Sequence, residues 1–483
     1  MDNTSVFTLN EIIKATGGKL CGEGYDLDTP IVSGACNDTR KINPDNLFVA
    51  IKDVRDGHDF IPNAIEGGAT AVLISDTKCL PLTIPAILVE DTVKALGLLA
   101  SYYRTRQNFK VVGVTGSVGK TSTREIIATA LRSGVKVHST PSNQNNEIGM
   151  PLTILSAPSD TDVLVLEMGM RLLGEIDYLT NIAKPDIALI TNIGCSHIGR
   201  LGSRENILKA KTEILNGLQD NGLFLVNGDD NYLEGFIKSY DNKNIRTGSV
   251  SAEGRCVTGT TFEACNIVIS SEGKGTSFDL GVNNDGEKIS ILEDVKISCV
   301  GICHVRNCLF ALYIAKELGL NLEGVKEALK TYTVLPGRGN VVKTKRYTIV
   351  DDAYNASFES MRAAFENINA MNAKGKTIRK ILALGCILEL GDFASDIHKD
   401  VGTELAKYNF NRIYVTGDNK EDILSGYSLV KGDDGKVILT ESTDEMRDKL
   451  MEEIDDGDII LFKGSNAFGL QKMAKEFTMR GNV

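Results

Sequence analysis

Short apolar runs bounded by glycines and acids alternate with segments whose apolar positions recur at helical spacing, which predicts strands and helices in turn. Near the start, Thr8-Leu9-Asn10-Glu11 has the form of a capping box that opens a helix through Ile12 and Ile13 and ends at Gly17-Gly18. Strands are expected at 31–35, 47–50, 71–74 and 86–89, with a helix at 64–68, so this part reads as a small α/β unit. A helix over 92–103 leads into Val111-Val112-Gly113-Val114-Thr115, which suits a buried strand, and Glu125, Ile126, Ile127, Ala130 and Leu131 follow at helical spacing. Two more buried strands are expected at 163–166 and 186–191. From 221 to 298 the texture changes to short β-prone pieces, at 223–226, 265–270, 289–292 and 295–300, broken by Gly, Asn and Asp. This reads as a β-rich elaboration of the same unit, closed by a helix over 304–318. The last segment alternates strands at 347–350, 381–384, 413–416, 437–440 and 459–462 with helical stretches. That order predicts a parallel sheet with right-handed crossovers, and ligands of such sheets lie beyond the carboxyl ends of the strands.

The stretch Gly116-Ser117-Val118-Gly119-Lys120-Thr121-Ser122 sits where the buried strand gives way to helix. It reads as a phosphate loop: backbone N–H groups and the helix start face an anion, Lys120 adds a full charge, and the Thr121 hydroxyl is offered to Mg2+. The strict consensus has its first Gly where Val114 stands, so the strand–loop–helix context carries this reading. Glu167, at the carboxyl end of the 163–166 run, stands where an Mg2+ ligand beside such a loop would sit, or where an exposed strand-end acid would. His197, one of five histidines, follows the next strand and reads equally as functional or structural. The lysines of Lys209-Ala210-Lys211 on the following helix read as a solvated face. Asp38-Thr39-Arg40 and Asp56-Gly57-His58 lie in loops of the first unit, where such residues grip a diphosphate or ribose or merely cap turns.

At 483 residues the chain exceeds what one hydrophobic core usually supports, so two or three domains are expected. The formal charge of −11, without a Lys/Arg cluster, argues against nucleic acid as a partner. No apolar run reaches the length of a bilayer span and the first residues lack a signal-peptide pattern, so a cytoplasmic protein without stable membrane insertion is expected. Ten dispersed cysteines fit free thiols in a reducing compartment. Cys299, Cys303, His304 and Cys308 enter an apolar helical run and read as buried side chains rather than a metal site.

Taken together, Thr115-Gly-Ser-Val-Gly-Lys-Thr121, Asn143-Gln-Asn-Asn-Glu-Ile-Gly-Met-Pro151, Glu167-Met-Gly169, His197 before Leu201-Gly-Ser203, and Lys209-Ala-Lys211 resemble the Mur ligases. Asp351-Asp-Ala-Tyr-Asn-Ala-Ser357, Leu388-Glu-Leu-Gly391, Asp38-Thr-Arg-Lys41 and Asp56-Gly-His-Asp-Phe60 are similar to the branch of that family that adds D-alanyl-D-alanine. The resemblance implies a three-domain α/β architecture: a small N-terminal UDP-sugar domain (1–88), a central P-loop ATPase-type domain with the β-rich elaboration (89–333), and a C-terminal Rossmann-like domain (334–483). It implies an ATP- and Mg2+-dependent ligase, a monomer, that joins D-alanyl-D-alanine to a UDP-N-acetylmuramoyl-tripeptide through an acyl phosphate. By the same resemblance, residues 116–122 with Asn307, Arg338 and Asp351 hold the nucleotide. Lys120, His197 and Lys211 are catalytic, and Thr121, Glu167, His197 and Lys211 serve Mg2+, with Lys211 carbamylated. Asn145 and Asn146 line the phosphate and carboxylate region, and Thr39 and Arg40 face the UDP group. The chain departs from the pattern at Val118 (usually Asn), Cys303 (His), Phe358 (Pro), Cys386 (Asp) and Asn466 (Arg). The last two departures bear on how the acceptor's charged ends are held, which leaves a sister ligase with another amine acceptor as the first alternative and a non-catalytic nucleotide-dependent binding protein as the second. The Asp-Asn-Pro-Arg motif of the diaminopimelate-adding sister is absent.

Overall fold

The capping box forms as its residues dictate: the Thr8 hydroxyl accepts from Glu11 N, the Glu11 carboxylate accepts from Thr8 N, and the helix Leu9–Thr16 follows. The computed structural model describes residues 6–257, 260–270, 273–284, 287–371 and 378–482, and within these the chain builds four sheets. The strand expected at 31–35 divides at Gly34, whose φ of 73° turns the chain out of one sheet and into another. Pro30–Ser33 pairs antiparallel with Val6–Thr8, whereas Ala35–Cys36 joins a five-stranded sheet in the order Lys19–Cys21, Ala86–Leu88, Ala71–Ile74, Leu47–Val49, Ala35–Cys36. The short helix of this unit is Ile61–Glu66, starting earlier than the apolar spacing suggests because Pro62 suits a first helical turn.

Thr92–Arg106 is capped by the Asp91 carboxylate, which accepts from Val93 N and Lys94 N. It packs on Leu9–Thr16 of the first unit and on Gly149–Leu155 and Glu175–Ala183 of the next, tying the two together.

The central sheet runs, among the described residues, in the order Val137–Ser139, Val163–Glu167, Lys110–Thr115, Ile187–Ile190, Leu223–Asn227, Arg246–Ser251, Thr260–Ile269, Thr276–Asn284, Glu287–Ile297. The first seven are parallel, and each of the last two pairs antiparallel with the strand before it. The two strands expected at 289–292 and 295–300 are one, because the polar Glu293-Asp294 pair that looks like a break is absorbed as an irregularity, with Asp294 at φ 53°. In the centre, Glu167 pairs with Val114 and Ile190 with Thr115, so three buried strands end level with one another. The helices Lys120–Leu131 and Ile302–Glu317 pack together over this sheet, with Cys299 and Cys308 inside the core they share.

The C-terminal sheet has the order Asn340–Lys343, Thr348–Asp351, Ile459–Lys463, Lys380–Gly385, Arg412–Thr416, Val437–Thr440. The last five strands are parallel, as the alternation predicts, and Asn340–Lys343 adds an antiparallel edge too short to be read from its pattern. Asp352 and Lys463, just past or at two strand ends, meet at 2.7 Å, so the loops after these strands do share a face.

Candidate active site

The phosphate loop is braced from the strand beside it. Ser117 N donates to Asn192 O (3.0 Å), Val118 N to Asn192 Oδ1 (3.0 Å) and Gly194 N to Ser117 Oγ (2.9 Å). With those loop amides engaged, the donors aimed at an anion are those of the helix start, Gly119 to Ser122, whose N–H groups have no intrahelical acceptor. Gly116 faces Thr191 so closely that any side chain there would strike its hydroxyl. Lys120 Nζ folds back to Gly116 O at 2.8 Å, and burial lowers its pKa, with Glu167 opposing and Arg338 adding to the shift.

Glu167 ends its strand almost fully buried, which removes the exposed-acid reading. Its Oε1 accepts from Asn145 Nδ2 at 2.7 Å, while Oε2 has no hydrogen-bond partner and lies 3.5 Å from Arg124 Nη1. A buried carboxylate oxygen with a cationic neighbour but no hydrogen bond can take a further ligand, and a hard divalent cation is such a ligand. Oxygen groups such as this carboxylate and the Thr121 hydroxyl are of the type that could hold such a cation. Arg124 is wholly buried, bonds Ser142 O at 2.8 Å and pairs with Glu125, so it anchors both Glu167 and the segment leading to Asn145. Asn146 Oδ1 accepts from Gly149 N (2.9 Å) at the start of the helix Gly149–Leu155, a local role beside the expected substrate contact.

His197 has a left-handed φ of 65° and opens the short helix Ile198–Leu201. Burial first, then the charges of Lys120 and Lys211, push its pKa down to about 4, which keeps the imidazole neutral and able to offer a lone pair. The solvated-face reading holds for exposed Lys209 and fails for Lys211, which is 2% exposed. Burial and the neighbouring Lys120 pull the Lys211 amine well below its ordinary pKa. Lys120 thus lies within electrostatic reach of Glu167, His197 and Lys211, which come from three other elements of the central unit.

The C-terminal unit closes on them. Arg338 Nη2 donates to Thr121 Oγ1 at 3.3 Å, and its guanidinium lies 3.9 Å from the centre of the Tyr354 ring. Glu359 Oε1 accepts from Cys195 N at 2.9 Å, in the loop that carries His197. Glu389 Oε2 stands 3.5 Å from His197 Nδ1. Sequence reasoning missed Arg124, Glu359 and Glu389 as site residues. Arg124 resembles any charged helix position, and the other two act across a domain boundary that no local pattern encodes.

Other expected residues stand apart. Asn307 Oδ1 accepts from Thr123 Oγ1 (2.8 Å) behind the loop, and the Asp351 carboxylate accepts from Gly337 N (3.2 Å) and Ala353 N (3.3 Å). Arg40 makes a two-pronged bond to Asp38 at 2.8 Å on the surface of the first unit, beside Thr39. Asp56 and His58 serve that unit's own turn, with His58 Nε2 accepting from Ser75 N (3.0 Å). Cys386 is buried, and its thiol is pushed up to about 11 by burial, whereas Asn466 is exposed. Among the described residues no group of three or more His, Cys, Asp or Glu converges on one point.

Residues 114–315 match the model of the Mur ligase middle domain and 337–466 that of the Mur ligase glutamate ligase domain. The UDP-N-acetylmuramoyl-tripeptide:D-alanyl-D-alanine ligase of Bacillus subtilis is 36% identical over 97% of this chain and 98% of its own. The chain belongs to the Mur ligase family. Its fold agrees with that of the Mur ligase MurF from Acinetobacter baumannii at a TM-score of 0.85, with 26% identity and 99% of this chain and 100% of that one covered. MurF from Thermotoga maritima, solved in complex with ADP, matches at 0.77 with 28% identity, over 93% of this chain and 98% of that one. The three-domain α/β architecture expected from the sequence is the one observed.

Proposed function

We propose that this Mur ligase joins D-alanyl-D-alanine to the terminal carboxylate of a UDP-N-acetylmuramoyl-tripeptide at the expense of ATP, in cytoplasmic peptidoglycan precursor synthesis. What supports the acceptor is the name shared by relatives that align over nearly the whole chain. What supports the chemistry is one arrangement: an anion-binding helix start with the half-buried Lys120, a neutral imidazole and the buried Lys211 from the central unit, faced by Arg338 and Glu389 from the last. We take the domains as 1–88, 89–333 and 334–483, with Thr39 and Arg40 at the UDP end.

A carboxylate is a poor electrophile because its oxide does not leave, and phosphorylation supplies a leaving group. The carboxylate oxygen attacks the γ-phosphorus and ADP departs; the acceptor's ammonium gives up a proton to solvent, the free amine attacks the acyl carbon, and inorganic phosphate departs as the nitrogen loses its second proton. Repulsion between carboxylate and triphosphate is the obstacle, so cationic and donor groups must stand between them. Lys120 and the Gly119–Ser122 amides hold phosphate charge, and Arg338 reaches the same oxygens once released from Thr121. Thr121 and Glu167 would hold one Mg2+, and His197 with Lys211 a second; bound there, the ions screen the negative charge that gathers as the two anions meet. Asn145 fixes the Glu167 carboxylate in the orientation this needs.

A carbamate on Lys211 is the finer part of this reading. That modification belongs to sister ligases of the family rather than to the dipeptide-adding branch. In this chain it rests on electrostatics: burial and the neighbouring Lys120 disfavour the charged amine, and a neutral amine that adds CO2 and releases a proton would give the site an oxygen ligand.

The experiment is phosphate release from ATP with each substrate left out in turn. Release that requires both the UDP-tripeptide and D-alanyl-D-alanine supports the assignment, and equal release without them overturns it. A panel of other D-alanyl dipeptides and single amino acids tests the alternative acceptors raised by Cys386 and Asn466.

A further inference from the structure

Glu389 lies in the loop that follows the strand Lys380–Gly385, and that loop is built to hold it in one place. Its backbone is left-handed, with φ 64°, a conformation unusual for a residue other than glycine. Just before it, Ile387 N donates to His398 Nε2 (2.9 Å) and Leu388 N donates to Ser465 Oγ (3.0 Å). Across the domain boundary Gly199 lets the two backbones touch: a Cβ there would stand 2.7 Å from Gly391 N and 2.8 Å from Glu389 O. The consequence is a carboxylate with Oε2 at 3.5 Å from His197 Nδ1 and Oε1 at 3.8 Å from Arg200 Nη2.

The charge balance around that carboxylate gives it a task. The groups acting on His197 are Lys120, Lys211 and Arg200, all basic, and Glu389, the acidic one. A basic site suits phosphate and the substrate's carboxylate, but the second substrate arrives with an α-ammonium group, which Lys120 and Arg200 repel. Glu389 comes from the unit that closes over the site, and its side chain is 53% exposed, so part of the carboxylate is open to a ligand.

We propose that Glu389 binds the ammonium group of the amine acceptor and holds that nitrogen beside the activated acyl group, making it a specificity-determining residue for a zwitterionic amino acid or dipeptide. This rests on the ligase reading above. An ionic hydrogen bond from ammonium to carboxylate is the interaction a neutral or hydroxyl-bearing analogue cannot make, so the residue selects an amine over an alcohol at the same position.

The test compares the full-length wild type with Glu389→Gln and Glu389→Asp in steady-state assays on ATP, UDP-tripeptide and D-alanyl-D-alanine. An analogue with a hydroxyl in place of the ammonium serves as competitor. With Gln the KM for the dipeptide rises roughly tenfold to a hundredfold, and with Asp it rises less, while KM for the other two substrates stays within about twofold. The inhibition constant of the hydroxyl analogue does not change. An unaltered dipeptide KM in a folded Gln variant, or an equal rise for all three substrates as loss of a closure contact would give, overturns the assignment and leaves the ligase reading standing. Wild type that consumes no acceptor overturns both.

Discussion

Arg338 and Thr121 are bonded across the boundary between the central and C-terminal units, Nη2 to Oγ1 at 3.3 Å. The guanidinium also stacks on Tyr354, so its plane is set before any nucleotide arrives. Arg338→Ala is therefore expected to weaken ADP binding by about tenfold or more, with UDP-tripeptide affinity unchanged. Lysine should restore little, since it supplies charge without the planar fork or the stacking. Calorimetric titration of ADP in the presence of Mg2+ measures both.

Gly194 and Glu359 meet across the same boundary. A Cβ on Gly194 would stand 2.5 Å from the Glu359 carboxyl carbon, which itself holds Cys195 N. Gly194→Ala should push that carboxylate off the loop carrying His197 and lower kcat by roughly ten- to a hundredfold, because small displacements near reacting groups are expensive. Adding Glu359→Ala to that variant should recover part of the loss. Single and double variants measured as a cycle reveal the coupling, and strictly additive losses would contradict it.

Lys211 separates a site role from a solvated helix face. Lys211→Ala should collapse turnover by about a hundredfold or more while Lys209→Ala leaves it near normal. If the carbamate forms, short-chain carboxylic acids added to the Lys211→Ala enzyme restore part of the rate, and the wild type carries an added carbon dioxide by native mass spectrometry. Rescue without that adduct, or the adduct without rescue, would set the carbamate aside.

His304 gives a pH signature. Burial alone pushes it down to about 4 in the folded state, against about 6.5 in an unfolded chain. Between those values the unfolded state takes up a proton that the folded state refuses, so its contribution favours folding above pH 6.5 and is lost as pH falls towards 4. Relative to His304→Gln, the wild type should lose about 2 kcal/mol of stability between pH 7 and pH 5. Urea unfolding of both proteins at the two pH values measures the difference. A constant difference would contradict the shift.

Much of the fold is legible in the chain because buried parallel strands are continuous apolar runs and their helices carry caps. Ala71–Ile74 and Val437–Thr440 fall where the pattern puts them, and the phosphate loop is found from its strand and helix alone. What the pattern misses is decided by distant partners. Asn340–Lys343 is a strand because Thr348–Asp351 lies beside it, and Glu287–Ile297 stays whole because its neighbour tolerates an irregular register. The site divides in the same way. Lys120 and Glu167 are marked by the strands that precede them, whereas the burial of Lys211 depends on how the central unit folds around it and the approach of Glu359 and Glu389 on how domains pack, and Lys209-Ala-Lys211 looks the same on a wet face.

Oxygen transfer tests the central claim most directly. With oxygen-18 in the terminal carboxylate of the UDP-tripeptide, an acyl phosphate delivers a labelled oxygen to the inorganic phosphate released as the amide forms, and phosphate from a turnover with D-alanyl-D-alanine should carry that label by mass spectrometry. Unlabelled phosphate, formed at the same rate as the amide, would contradict it.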